Sequence, residues 1–177
     1  MNPWIILDRD GVINEDSCSY IKSADEWHPI PGSLEAIARL SQAGYRVVVA
    51  TNQSGVGRNL FDMETLNEIH EKMHRLIQEA GGYIEAVVFC PDLDDNNPQR
   101  KPNPGMYAEI ARRLRIKLRD VPAIGDSYKD IKAALAAEAK PILVCTGNGK
   151  KTLDSMKTHP EIDIFEDLAA ATDQLLS

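Results

Sequence analysis

Apolar residues fall along this chain in two alternating rhythms. Short runs with little polar interruption have the length and β-branched content of strands buried on both faces: Trp4-Ile5-Ile6-Leu7, Arg46 to Thr51, Ile84 to Phe89, Val121 to Gly125 and Pro141 to Cys145. Between them apolar positions recur at helical spacing. Ser33 reads as the N-cap of a helix carrying Leu34, Ile37, Ala38 and Leu40, with Gly44 as its stop. Asp62 reads as the cap of a long helix that ends at Gly81-Gly82, and Pro104 opens a helix carrying Met106, Ile110 and Leu114. Tyr128 to Ala137 is a further helix, and Ile162 to Phe165 a short sixth strand before a last one. Residues 14–31 and 91–103 are irregular or polar loops. Strands alternating with amphipathic helices predict an α/β fold, a doubly wound Rossmann-like parallel sheet with helices on both faces. The length suits one domain over residues 1–177, with no large cap domain.

Sheets of this kind meet ligands at the carboxyl ends of their strands. Here the first strand is followed by Asp8-Arg9-Asp10-Gly11 and the second by Thr51-Asn52-Gln53-Ser54-Gly55. Arg100-Lys101-Pro102 lies past the third strand, Gly125-Asp126-Ser127 follows the fourth, and Thr146-Gly147-Asn148-Gly149 the fifth. Asp8, Asp10 and Asp126 would therefore converge. Crowded carboxylates raise one another's pKa unless a cation intervenes, and a Mg²⁺ ion held by few carboxylates and water suits a phosphate substrate. Lys101 adds a fixed positive charge, and Thr51 and Asn52 offer hydrogen bonds to phosphate oxygens. Such a set serves phosphoryl transfer: a carboxylate nucleophile splits the reaction into two steps, and a second acid protonates the leaving group and then deprotonates water.

The strand-end chemistry points to a small phosphorylated metabolite as partner, and composition argues against other classes. A net charge of −7 argues against nucleic acid. Cys18, Cys90 and Cys145 form no CxxC pair or secreted framework, which points to a reducing cytosol. Without a basic-then-apolar leader or a bilayer-length apolar run, the expectation is a cytoplasmic monomer with no membrane partner.

Taken in order, D-x-D-G on strand one, Thr on strand two, Lys before the next helix and G-D-S on strand four resemble the four motifs of the haloacid dehalogenase superfamily, over residues 4–130. The resemblance implies that Asp8 is the nucleophile and a Mg²⁺ ligand, and that Asp10 is the acid/base and gives its backbone carbonyl to the metal. It further implies that Thr51 and Lys101 hold the phosphoryl group and that Asp126 completes the metal site. Asp130, one helical turn on, is read as supporting that site from outside. DRDGVIN, TNQSGVGR and CP followed by RKPNPGM are similar to the heptose bisphosphate phosphatase branch of the superfamily, a relative of the histidinol-phosphate phosphatases. That branch implies substrate contacts from Asp16, Ser17, Cys18 and Ser19, from Gln53 and Ser54, and from Arg100. Ser127 stands where the branch often carries Lys, and is placed with the substrate contacts. Many members hold zinc on a Cys, a His and a later Cys-x-Cys in the loop before RKP. Here only Cys90 remains, so no structural zinc is expected. A heptose bisphosphate is the expected substrate and histidinol phosphate the alternative.

Two other readings compete. A phospho-Asp receiver module uses a similar residue set, but its acceptor follows strand three, where this chain has Phe89-Cys90-Pro91. His70-Glu71-Lys72-Met73-His74 matches the zinc-protease pattern H-E-x-x-H. The helix's apolar stripe, Leu66, Ile69, Met73, Leu76, Ile77 and Ala80, places His70 and His74 toward a solvated flank, with no third ligand in view. Gly147 to Thr152 lacks the Walker spacing and reads as the start of a helix.

Overall fold

In a computed structural model, residues 3–156 and 162–177 are described; residues 1–2 and 157–161 of the span read as one domain lie outside them. The strands are β1 (Trp4–Leu7), β2 (Arg46–Asn52), β3 (Ile84–Cys90), β4 (Pro122–Gly125), β5 (Lys140–Val144) and β6 (Asp163–Phe165). The helices are α1 (Ser33–Gln42), α2 (Ser54–Gly57), α3 (Met63–Glu79), α4 (Gly105–Leu114), α5 (Tyr128–Ala136), α6 (Gly149–Ser155) and α7 (Leu168–Leu175). All strand pairs are parallel, in the order β3-β2-β1-β4-β5-β6. The order reverses between β1 and β4, the crevice where doubly wound sheets bind ligands.

The two-residue period of the strands divides the core. Ile5, Leu7, Val47 and Val49 pack on one face with Ile37 and Leu40 of α1, Ile69, Met73 and Ile77 of α3, and Leu168 and Ala171 of α7. Ile6, Val48 and Ala50 pack on the other with Tyr107 and Ile110 of α4 and Ala133 and Ala134 of α5. Ile5, Ile6 and Leu7 are at most 1% exposed, each contributing about 1.5–3 kcal/mol. That burial anchors the strand that delivers Asp8.

Helix starts differ from expectation in an instructive way. Asp62 does cap α3, its carboxylate accepting from the Thr65 amide at 2.8 Å. Ser33 does not cap α1. Gly32 takes that position at φ 85°, and the Ser33 hydroxyl donates to the Val12 carbonyl at 2.8 Å, fastening the loop after β1. α2 is a single short turn that its glycine-rich sequence did not advertise. The segment 14–31 is irregular but anchored. Trp27 is fully buried, and Lys72 of α3 donates to the carbonyls of Ala24 and Trp27 at 2.7 and 2.8 Å.

Candidate active site

The ends of β1, β2, β4 and β5 open into a cleft of about 200 Å³. Asp8, Asp10, Asn52, Gln53, Lys101, Asp126, Ser127 and Asp130 line it, and Asp16, Ser17, Tyr20, Ile21, Lys129 and Asn148 form its rim. β1 continues past its last residue through the Asp8 amide, which donates to the Ile124 carbonyl of β4 at 2.9 Å. Asp8 and Asp126 are thus delivered from adjacent strands.

Lys101 binds the acids together. Its ammonium donates to the Ala50 carbonyl at 2.8 Å and to Asp130 Oδ1 at 2.5 Å, and lies 3.0 Å from Asp8 Oδ1. The last contact is an ion pair without hydrogen-bond alignment, so Asp8 Oδ1 remains buried with no donor among the described residues. Burial alone would lower Lys101, but the charges of Asp130 and Asp8 outweigh it and keep the ammonium protonated. Asp130 is saturated elsewhere. Its Oδ2 accepts from the Ser127 amide at 3.0 Å and hydroxyl at 2.6 Å, completing the capping box of α5. Ser127 is thereby the N-cap of that helix.

Asp126 is fixed by backbone. Its Oδ2 accepts from the Asn148 amide at 2.7 Å, and Asn148 Nδ2 also reaches Asp16 at 2.8 Å. Gly11 and Gly147 close around the same oxygen. A Cβ on Gly11 would stand 2.1 Å from it, and one on Gly147 2.2 Å, and both glycines have positive φ. Gly11→Ala should therefore displace Asp126 and add about 1–2 kcal/mol of backbone strain. Mg²⁺ titration of that variant by calorimetry should show much weaker binding than the unmodified chain; an unchanged affinity would contradict this packing.

Asp8, Asp126 and Asp130 each place one carboxylate oxygen within 4.8 Å of the others. Burial, then the charges of Asp130 and Asp10, raise Asp8 to about 7 against the pull of Lys101. Burial, then Asp8 and Asp130, raise Asp126 to about 8. A donorless buried oxygen beside crowded carboxylates is what a small hard cation relieves. The Asp10 carbonyl, which accepts no hydrogen bond among the described residues, suits the same ion. Both folded pKa values lie above the unfolded ones, so these two acids bind more protons in the folded chain between about pH 4 and 8, opposed below about pH 6.5 by His70 and His74, which burial keeps neutral. Metal-free stability should therefore fall as pH rises from about 6.5 to 8, and saturating Mg²⁺ should abolish that slope. Melting temperatures in chelator and in Mg²⁺ across the range check this, and a flat chelator curve would refute it.

Asp10 sits in a different setting. Its Oδ1 accepts from Arg9 Nε at 3.1 Å, Arg9 Nη2 at 2.9 Å and Asn14 Nδ2 at 2.9 Å, and its Oδ2 from Gln53 Nε2 at 2.7 Å. Burial pushes Asp10 up, but Arg9 and the Asn14 and Gln53 hydrogen bonds outweigh it and hold it below the ordinary carboxylate range.

Several residues expected at the site lie off the cleft wall. Thr51 is 1% exposed, its hydroxyl accepting from Gln53 Nε2 at 2.9 Å. Arg100 is held by Asp95 at 2.9 Å and the Asp92 carbonyl at 3.0 Å. Ser54 begins α2. Ser19 is exposed outside the cleft, and Cys18 lines a neighbouring hollow with Thr146 and Lys151. Gln53 reaches the cleft, but both ends of its amide are engaged by Arg9, Asp10 and Thr51. Asn148, Tyr20 and Lys129 were not singled out from sequence; only the loop position of Asn148 hinted at a role. His70, expected on a solvated flank, is instead 8% exposed, with Nε2 3.2 Å from Arg9 Nη1. A guanidinium on the ring nitrogen excludes a metal there and removes the zinc-protease reading.

The family model of haloacid dehalogenase-like hydrolases matches residues 4–138. The chain belongs to the haloacid dehalogenase-like hydrolases. Within the family, this hydrolase is 55% identical over 173 residues, 97% of each chain, to a D-glycero-β-D-manno-heptose-1,7-bisphosphate 7-phosphatase of Bordetella bronchiseptica. A protein of the same name from Pseudomonas putida is 49% identical over 174 residues, 97% of this chain and 98% of the other. Among solved structures, a D,D-heptose 1,7-bisphosphate phosphatase from B. bronchiseptica complexed with magnesium and phosphate superposes with a TM-score of 0.95, at 54% identity and 98% coverage of both chains.

Proposed function

We propose that this hydrolase removes the 7-phosphate of D-glycero-β-D-manno-heptose 1,7-bisphosphate in the presence of Mg²⁺. The near-full-length match to phosphatases of that name carries the substrate; the convergence of Asp8, Asp10, Lys101 and Asp126 supports the chemistry. Asp8, Asp126 and the Asp10 carbonyl are the groups that would hold the ion, with Asp130 supporting through Lys101. When bound, Mg²⁺ supplies charge neutralisation for phosphate and carboxylate oxygens.

The chain's own groups do the rest. The Asp8 carboxylate attacks the 7-phosphorus while the bond from phosphorus to the sugar oxygen breaks, and Asp10, ionised in the free site, relays to that departing oxygen a proton that enters with the substrate's phosphate. Asp10 then takes a proton from water, which attacks the aspartyl-phosphate and frees inorganic phosphate and Asp8. The Lys101 ammonium faces the phosphoryl group and offsets its charge, and the Asn52 amide, bonded at both ends to the Lys101 backbone at 3.0 Å, holds that lysine in place. Asp16 and Ser17, with the unexpected rim residues Tyr20 and Lys129, border the sugar. Thr51 and Arg100 act here from behind, Thr51 by seating Gln53.

The loop 91–103 has no thiol or imidazole to join Cys90. Asp92 accepts from the Leu93 and Asp94 amides at 2.7 and 3.0 Å and from Asn97 at 2.7 Å, and Asn103 donates to the carbonyls of Asp95 and Asn97. This network supports the reading that the protein needs no zinc. No helix of the described residues is long and apolar enough to cross a membrane, in keeping with a cytoplasmic role. We take it to act as a monomer.

Phosphate release with Mg²⁺ should be measured on both anomers of the heptose bisphosphate and on histidinol phosphate. The β-anomer should be turned over with the highest kcat/KM. Preference for histidinol phosphate would overturn the substrate assignment while leaving the reaction class.

A further inference from the structure

Arg9 is a fully buried cation whose three guanidinium nitrogens each have a side-chain partner. Nε and Nη2 hold Asp10, and Nη2 also donates to Gln53 Oε1 at 3.1 Å. Nη1 faces His70 Nε2 at 3.2 Å, its one side-chain acceptor among the described residues. A guanidinium can only donate, so His70 must present an unprotonated Nε2. His70 is itself held in place: it is buried on α3, its ring edge-on to Phe89 with centroids 6.2 Å apart. Burial, with the Arg9 charge adding, lowers its pKa to about 3, which agrees with the neutral ring that the geometry requires.

We infer that His70 is a positioning residue: as a neutral acceptor on α3 it fixes the Arg9 guanidinium, which fixes the Asp10 carboxylate facing the cleft. The inference rests on the reading of Asp10 as the acid/base. Asp10 sits on a loop with a glycine beside it, and its carboxylate takes its direction from Arg9, Asn14 and Gln53. Two of these three, Arg9 and Gln53, are joined to each other. Without the His70 acceptor, Nη1 is left buried and unpaired, and the guanidinium will turn to find another partner. Asp10 then shifts with it. Because His70 touches no substrate, the loss should appear in kcat and leave KM alone.

The test uses the full chain with Mg²⁺ and three variants, His70→Gln, His70→Asn and His70→Leu. Glutamine carries its carbonyl oxygen as many bonds from Cβ as Nε2 is, and asparagine falls one bond short. His70→Leu and His70→Asn should lose about ten- to a hundred-fold in kcat on the heptose bisphosphate, the scale of a small misplacement of a catalytic group. Their KM should stay near that of the unmodified chain, and His70→Gln should keep most of its kcat. With p-nitrophenyl phosphate, whose leaving group departs unprotonated, the first two should still give a rapid burst of p-nitrophenol followed by slow turnover. Unchanged kcat in His70→Asn overturns the inference. So does equal damage in His70→Gln and His70→Asn, which would mark a packing role. If His70→Leu does not fold, the glutamine–asparagine pair decides alone. Asp10→Asn is assayed beside them: full activity there would remove the acid/base reading itself, a failure distinct from that of the His70 link.

Discussion

Asp8→Asn is expected to abolish turnover while leaving a folded and, without metal, more stable protein. The amide has the shape of the carboxylate but cannot attack phosphorus, so kcat should fall by at least about four orders of magnitude, as when a unique nucleophile is removed. The stability gain follows from the same crowding that raises Asp8 to about 7. One of the facing acids is gone, and Asp126 loses the first charge that acts on it after burial. Metal-free melting temperature at pH 8 should therefore rise, with little change near pH 4, where the acids are already neutral. Mass spectrometry after rapid acid quench should find a phosphorylated chain in the unmodified enzyme and none in the variant. Turnover in Asp8→Asn above about a tenth of the original would exclude the covalent route.

Lys101→Met should be the most damaging change to stability. The side chain is 3% exposed, and its ammonium stands between Asp130 and Asp8. Removing one partner of a buried pair costs about 3–5 kcal/mol, here with two acids left facing each other. In a chain of this size that corresponds to a melting-temperature drop of roughly 10 °C. Protonating Asp8 relieves the repulsion, so the loss should be larger at pH 8 than at pH 5, and added Mg²⁺ should recover part of it. Activity should fall by about 10²–10³-fold even where the protein is folded, because the fixed charge on the phosphoryl oxygens is missing. A pH-independent loss of stability would show that the methylene stem of Lys101, rather than its charge, holds this part of the core.

The alternation of apolar strands and amphipathic helices was enough to read the doubly wound sheet, and strand-end polarity was enough to place Asp8, Asp126 and Lys101 in one cleft. Those features are local: a buried strand ends where its apolar run ends, and the next side chains are at the sheet edge. What stayed illegible depends on pairing across the chain. Arg9 reads as a variable position in D-x-D-G, yet it is the buried partner of Asp10, Gln53 and His70. His70 looked solvated because a polar side chain counts against an apolar stripe; it is buried because a cation from the β1 loop meets it. Gln53 and Arg100 read as substrate contacts from sequence, and the structure adds that their side chains are engaged with neighbours in the protein. A basic residue flanked by two acids at the end of a fully apolar strand is the signal that could have announced such a network.

The glycines around Asp126 set a limit of another kind. Positions 11 and 147 come from loops at opposite ends of the chain, and both abut one carboxylate oxygen so closely that a methyl group on either would collide with it. Divergence in these loops is therefore constrained by volume as much as by reactivity. A descendant sequence could keep every acid and the lysine, gain one alanine at either place, and still have lost its metal centre. Homologues sorted by their charged residues alone would count such a chain as active; the absence of a side chain at these two sites is the better criterion for separating working enzymes from inactive copies.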